Sequence, residues 1–179
     1  MTTITVPQRE DVAPANRAIF DNLQKALGFV PNLYATFAYS EHALGNYLAL
    51  QNSKSSLNTK EREVVNLVVS QVNGCKYCLS AHTALGKMHG FTDDQIIAIR
   101  KADIAFAPKL DALAKFVRNV ALERGHGDKV LLDAFFAAGY TKGNLVDVLV
   151  VVGDKIISNY LHSVTEIPVD FPTVPEVKV

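Results

Sequence analysis

The stretch EREVVNLVVSQVNGCKYCLSAH, residues 61–82, decides how this chain is read. It holds the 2 cysteines of the protein, Cys75 and Cys78, with His82 one helical turn past the second. Its first half, Val64 to Val72, is rich in valine, and by propensity alone such a run favours a strand. Its flanks argue for a helix instead. Asn58 is a good N-cap, Glu61 three residues later can reach back to the Asn58 amide, and Leu57 can serve as a hydrophobic staple. The capped stretch is also longer than an ordinary strand. Asn73-Gly74 is a breaker pair, so one helix ends there and the next begins at about Cys75.

Outward from this pair, helical periodicity runs from about Val12 to Thr165. A helix is predicted over Pro14–Leu27, with Pro14 in its first turn, apolar Ile19, Phe20, Leu23 and Leu27, and Gly28 to end it. Asn32–Tyr39 follows Pro31 as a short helix. Glu41–Lys54, capped by Ser40, buries Leu44, Tyr47 and Leu48. Past the cysteines, one helix reaches His89-Gly90, and the capping box Thr92-Asp-Asp-Gln95 opens a short helix to Ala102. Pro108 to Arg124, Asp128–Ala138 and Thr141–Ser163 complete the set. The β-branched run Leu145–Val152 is read as helical on the same ground of length. The fold class is therefore all-α, a helical bundle in a single domain over residues 1–179. Residues 12–165 form its helical body, and residues 166–179, with Pro168, Pro172 and Pro175, form an extended C-terminal arm. Such an arm packs against a neighbouring subunit or covers its own core.

At 179 residues the chain suits one well-filled core. Apolar residues make up 49% and charged residues 20%, an ordinary globular composition. With 18 basic and 18 acidic residues scattered along it, the chain has no basic stripe, which argues against a nucleic-acid partner. Leu145 to Ile157 is interrupted by Asp147, Asp154 and Lys155, too charged to span a membrane. The N-terminal residues show neither an apolar export core nor an arginine cluster, so a cytoplasmic location is expected. In that reducing compartment a cycling disulfide is more reasonable than a structural one.

The spacing supports a definite chemistry. A cysteine opening a helix faces unpaired amides and the positive end of the helix dipole, which favour a thiolate. Two cysteines three apart on a helix lie roughly 5–6 Å apart, within reach of a disulfide. Cys78 and His82, four apart, share a face, so the imidazole can approach the Cys78 sulfur. Glu63, on the preceding helix, can fold back against that face. His82 would then relay the Cys78 proton, with Glu63 holding its tautomer. The Cys78 thiolate would attack a hydroperoxide, release an alcohol and become a sulfenic acid, which Cys75 would condense with to form a disulfide. An external dithiol would restore the pair, entering at the more exposed Cys75.

The pattern Glu63-x11-Cys75-x2-Cys78-x3-His82 resembles the active-site signature of the AhpD-like alkylhydroperoxidases, within the carboxymuconolactone decarboxylase superfamily. Its context, Val-Asn-Gly-Cys75-Lys-Tyr-Cys78, is similar to the peroxidase-related branch. Leu33-x3-Phe37-x2-Ser40, Leu48-x-Leu50 and Gly139-Tyr140…Asn159-Tyr160 are similar to the family's flanking segments. The resemblance covers residues 12–172, strongest over 57–90. It implies an AhpD-like helical fold assembling as a dimer, trimer or hexamer. It further implies Cys78 as peroxidatic thiol, Cys75 as the sulfur that meets the reductant, and Glu63 and His82 as proton relay. The activity implied is reduction of organic hydroperoxides without metal, haem or flavin, with a lipoyl or thioredoxin-like dithiol as reductant. One position departs: well-described members have a second histidine just before the second cysteine, where this chain has Tyr77, a poor base at neutral pH.

Other readings stand beside this one. The superfamily also contains decarboxylase-like and lactone-processing members, although that chemistry needs no dithiol. The cysteines can be inert core residues. Cys75, Cys78 and His82, with His89 or Glu63 as fourth ligand, can also hold zinc in a non-catalytic scaffold. His42, His126 and His162 read as isolated surface or core histidines. Phe135 and Phe136 read as packing residues, with a substrate channel as the sharper alternative.

Overall fold

In the computed structural model, which describes residues 4–177, the valine-rich run is helical. This helix, Thr59–Val72, begins on the anticipated capping box: Glu61 N–H donates to Asn58 Oδ1 at 3.0 Å, and Asn58 N–H to Glu61 Oε2 at 2.9 Å. Val64, Val65, Leu67, Val68 and Val69 are all 0% exposed, so the helix is enclosed on every side. That explains the misleading propensity. A β-branched residue costs a helix a few tenths of a kcal/mol, about a fifth of what burying its side chain returns.

Helices surround this one in chain order: α1 (Pro14–Leu27), α2 (Asn32–Phe37), α3 (Ala43–Gln51), α4 (the central Thr59–Val72), α5 (Lys76–Met88), α6 (Asp93–Lys101), α7 (Pro108–Leu122), α8 (Lys129–Ala137) and α9 (Lys142–Thr165). No strand occurs among the described residues. Against α4 pack α5, α6, α7 and α9. Most ends agree with the expected ones to within two residues. The exception is α3, which occupies only the middle of Glu41–Lys54. Ser40 Oγ accepts the N–H groups of His42 and Ala43, which holds Glu41 and His42 in a turn before the helix.

Two apolar clusters result. One joins α4, α6, α7, α8 and the first half of α9, through residues such as Ile99, Leu113, Val117, Phe135 and Val148. The other joins α1, α2 and α3 with Cys75, Tyr77, Cys78 and Ile167. Phe135, fully buried and stacked on Tyr140, belongs to the first, so it packs and lines no channel. The arm covers its own chain. Asn32 N–H donates to Asp170 Oδ2 at 2.7 Å, and the Phe171 ring meets the edges of Phe29 and Tyr77. No helix among the described residues is long and apolar enough to cross a membrane.

Candidate active site

Between α4 and α5 the chain turns at Gly74, whose φ of +65° suits a residue without a side chain. The turn leaves Cys75 as the N-cap of α5, its sulfur accepting the Cys78 N–H at 3.3 Å. The two sulfurs lie 2.8 Å apart as free thiols, with Cys75 donating to Cys78. This arrangement splits the pair. The Cys75 hydrogen bond lowers the Cys78 thiol below its ordinary range against the opposing effect of burial, and the Lys155 charge, Asn159 and Ser158 add to it. Cys75 is pushed strongly up, by that same hydrogen bond, by burial and by the neighbouring Cys78 charge. Of the two, Cys78 is the sulfur that gives up its proton more readily.

Glu63 and His82 also meet: His82 Nδ1 and Glu63 Oε2 are 2.9 Å apart, and both side chains are buried. Asn66 donates to the other Glu63 oxygen at 3.1 Å. Burial works to raise the Glu63 carboxyl, but His82, Asn66 and Lys155 together hold it below the usual carboxylate range. The far side of the ring departs from expectation. His82 Nε2 lies 3.0 Å from Lys155 Nζ, so both ring nitrogens are engaged and neither is left for Cys78. An ammonium only donates, so Nε2 accepts and the ring proton sits on Nδ1, directed at Glu63.

Lys155 is the residue that sequence reasoning missed. It comes from α9, 73 positions beyond His82, and is 2% exposed. Its neighbour Asp154, also buried, places Oδ2 3.5 Å from Nζ. The available signal was the adjacent charged pair Asp154-Lys155 in the middle of a largely apolar helix, since such charges rarely go into a core without a role or a partner. Tyr77 turns the other way. Its hydroxyl accepts the Leu33 N–H at 3.2 Å, and burial together with a hydrogen bond to Asp170 raises its phenol. It ties the arm to α2 and contributes no base.

Cys78, His82, Glu63 and Lys155 line one cavity of about 640 Å³. Its walls include Leu27, Phe29, Tyr34, Leu85, Met88 and Phe171. Cys75 does not line the cavity and is 1% exposed against 3% for Cys78. Both sulfurs are buried and only Cys78 lines the cavity, so the expectation that Cys75 is the more exposed sulfur does not hold in this structure. Among the described residues no group of three or more His, Cys, Asp and Glu is arranged to hold a metal ion. The zinc reading loses its geometry, since the His82 nitrogens face Glu63 and Lys155.

Residues 38–119, which contain Glu63, Cys75, Cys78 and His82, match the Carboxymuconolactone decarboxylase family. The matched residues make up a little under half of the chain and hold the whole Cys-x-x-Cys motif. Its fold is the AhpD-like one. The chain is 22% identical to an uncharacterized peroxidase-related protein from Silicibacter sp. TM1040, with a TM-score of 0.81 over 92% of this chain and 90% of that one. The AhpD core of a peroxidase-related protein from Ralstonia eutropha JMP134 gives the same TM-score at 20% identity, covering 90% and 88% of the two chains. The debrominase Bmp8, solved in complex with 2,3,4-tribromopyrrole, gives 0.78 at 17% identity, covering 95% and 92%. The uncharacterized protein YdfG of Bacillus subtilis is 37% identical over 46 residues, which make up 26% of this chain and 31% of that protein.

Proposed function

We propose that this chain is a member of the carboxymuconolactone decarboxylase superfamily and a thiol-dependent peroxidase that reduces organic hydroperoxides through a Cys75/Cys78 cycle. The observation that carries the reading is the sulfur pair: two free thiols 2.8 Å apart, the lower-pKa one facing an apolar cavity. The Cys78 thiolate attacks the terminal oxygen of R–O–O–H; the O–O bond breaks, the sulfur becomes a sulfenic acid, and the alkoxide leaves as alcohol after taking a proton. The Cys75 thiol then displaces hydroxide from Cys78, and a disulfide and water result. A dithiol of lipoyl or thioredoxin-like type reduces the disulfide by exchange. Because Cys78 faces the cavity, that reductant is expected to attack Cys78, or to require the arm over Cys75 to lift.

The test is mass spectrometry of both thiols before and after one equivalent of cumene hydroperoxide. A Cys75–Cys78 disulfide is expected in the native chain, and a dimedone-trapped sulfenic acid on Cys78 in Cys75→Ser. Full peroxide consumption by Cys78→Ser refutes the reading. The aromatic lining of the cavity supports a second thiol chemistry, reductive removal of halogen from an aromatic ring, with the same dithiol giving up two electrons and halide leaving. Bromide release from a bromopyrrole by the reduced protein, without any reaction with peroxide, would favour it.

We further propose that the chain works as a homo-oligomer assembled through α9. Val146, Leu149, Val150, Ile157, Tyr160 and Val164 are all exposed. At 100° per residue they share one face, opposite the face that carries Lys155. The pattern is symmetric about Gly153, whose Cα side is open. Two copies crossing antiparallel at Gly153 would set Val146 against Tyr160 and Leu149 against Ile157. A second copy is the occupant because the stripe is complementary to itself.

A further inference from the structure

We infer that Lys155 is a catalytic acid of this site: its ammonium delivers the proton that the alkoxide needs as the O–O bond breaks. The inference rests on the peroxidase reading and adds a residue that lies outside the segment matching the family, residues 38–119.

An ammonium carries three donors. One meets His82 Nε2 at 3.0 Å, and Asp154 Oδ2 lies at 3.5 Å. The third remains for the cavity, which Lys155 lines together with Cys78. The titratable groups that line the cavity with Lys155 come from every neighbouring element: Glu63 and Arg62 of α4, Cys78 and His82 of α5, Asp154 of α9, Tyr34 of α2 and Tyr47 of α3. Burial and the Asp154 charge push the Tyr34 phenol up to about 12. The same two influences take Tyr47 higher still. Neither tyrosine is a ready acid beside Asp154. His82 offers the cavity no proton either, because its only N–H points at Glu63. Tyr77, at the position where a second histidine is usual, faces Leu33 and Asp170. Lys155 is left as the proton source beside the reacting atoms.

The step balances. The Cys78 thiolate forms the S–O bond with the terminal oxygen, the O–O bond breaks, and the alkoxide takes one proton from Lys155, leaving a neutral amine. Sulfur is oxidised and the peroxide reduced by two electrons. An ammonium is a stronger acid than an alcohol, so the transfer to an alkoxide runs downhill. A proton from solvent entering the cavity restores the ammonium, with His82 and Asp154 beside the amine.

A general acid matters only when the leaving group is a strong base. The experiment therefore compares single-turnover oxidation of the reduced protein by tert-butyl hydroperoxide, whose alkoxide needs a proton, and by peracetic acid, whose acetate does not. Thiol loss is followed by quenching and mass spectrometry. In Lys155→Met the rate with tert-butyl hydroperoxide is expected to fall by roughly 100-fold or more, and that with peracetic acid by less than about tenfold. Asp154→Asn/Lys155→Met, which also removes the buried carboxylate that Lys155→Met alone would strand, is expected to show the same split and keeps the test sound if the single variant unfolds. Equal losses with both oxidants, or no loss with either, overturn the role of Lys155. A native protein that reacts with neither oxidant overturns the peroxidase reading itself.

Discussion

At the scale of single residues, the site gives two identical side chains different acidities. Cys78 gains from the Cys75 hydrogen bond and from Lys155, while Cys75 is buried and donates. The sign of the pH dependence follows. A folded pKa below the free value means Cys78 stays ionised as pH falls from about 8.5 toward that lower value. Alkylation by iodoacetamide is therefore expected to reach half its plateau rate at lower pH in the native protein than in a free cysteine control. A midpoint at or above the control contradicts this charge arrangement. Glu63 gives a second sign. Its folded pKa is lowered, so its contribution to stability is full above the unfolded value of about 4.3 and is lost as pH falls through the folded one. Replacing Glu63 by Gln should flatten the acid limb of a pH-denaturation curve; an unchanged limb would show that the Glu63–His82 contact carries no such linkage.

Among the elements, α4 is the axis on which the others depend. It is enclosed by α5, α6, α7 and α9 and supplies Glu63 to the site from the same turns that fill the core. Leu67, fully buried there, should cost about 2–5 kcal/mol when replaced by Ala, read as a lowered urea midpoint. A loss under about 1 kcal/mol would mean that the helix repacks easily. The capping box of α4 and the Thr92–Gln95 box of α6 were both legible, since a cap is a local contact between residues three apart. The exact start of α3 was not, because the Ser40 hydroxyl serves the turn as readily as the helix.

For the whole molecule, α9 presents one face to the site and the opposite face to solvent. Its inner face holds Val148, Val151, Asp154, Lys155, Ser158 and Asn159, all buried. If the outer stripe joins two copies, Leu149→Glu with Ile157→Glu, which sets like charges against each other across the crossing, should reduce the mass measured by light scattering to that of one chain of 19.5 kDa. Both positions lie on the outer face, so thiol reactivity in the reduced protein should persist. An unchanged mass would move the interface elsewhere. The arm belongs to this scale too, since Asp170 and Phe171 close over Tyr77 from the far end of the chain.

Residues near one another in the chain settled a great deal. The helical class, the caps, the turn at Gly74 and the pairing of Cys75 with Cys78 all follow from contacts within about four positions, where spacing dictates geometry. Glu63, on the adjacent helix of a hairpin, was within reach of the same logic. Tertiary structure alone decided that His82 faces Lys155 instead of the thiol, that Cys78 and not Cys75 opens to the cavity, and that Tyr77 anchors the arm. Each depends on where α9 and the C-terminal arm come to rest, and no local spacing records that. The packing of buried surface across the whole chain determines it, and the single charged pair within α9 was its only visible trace.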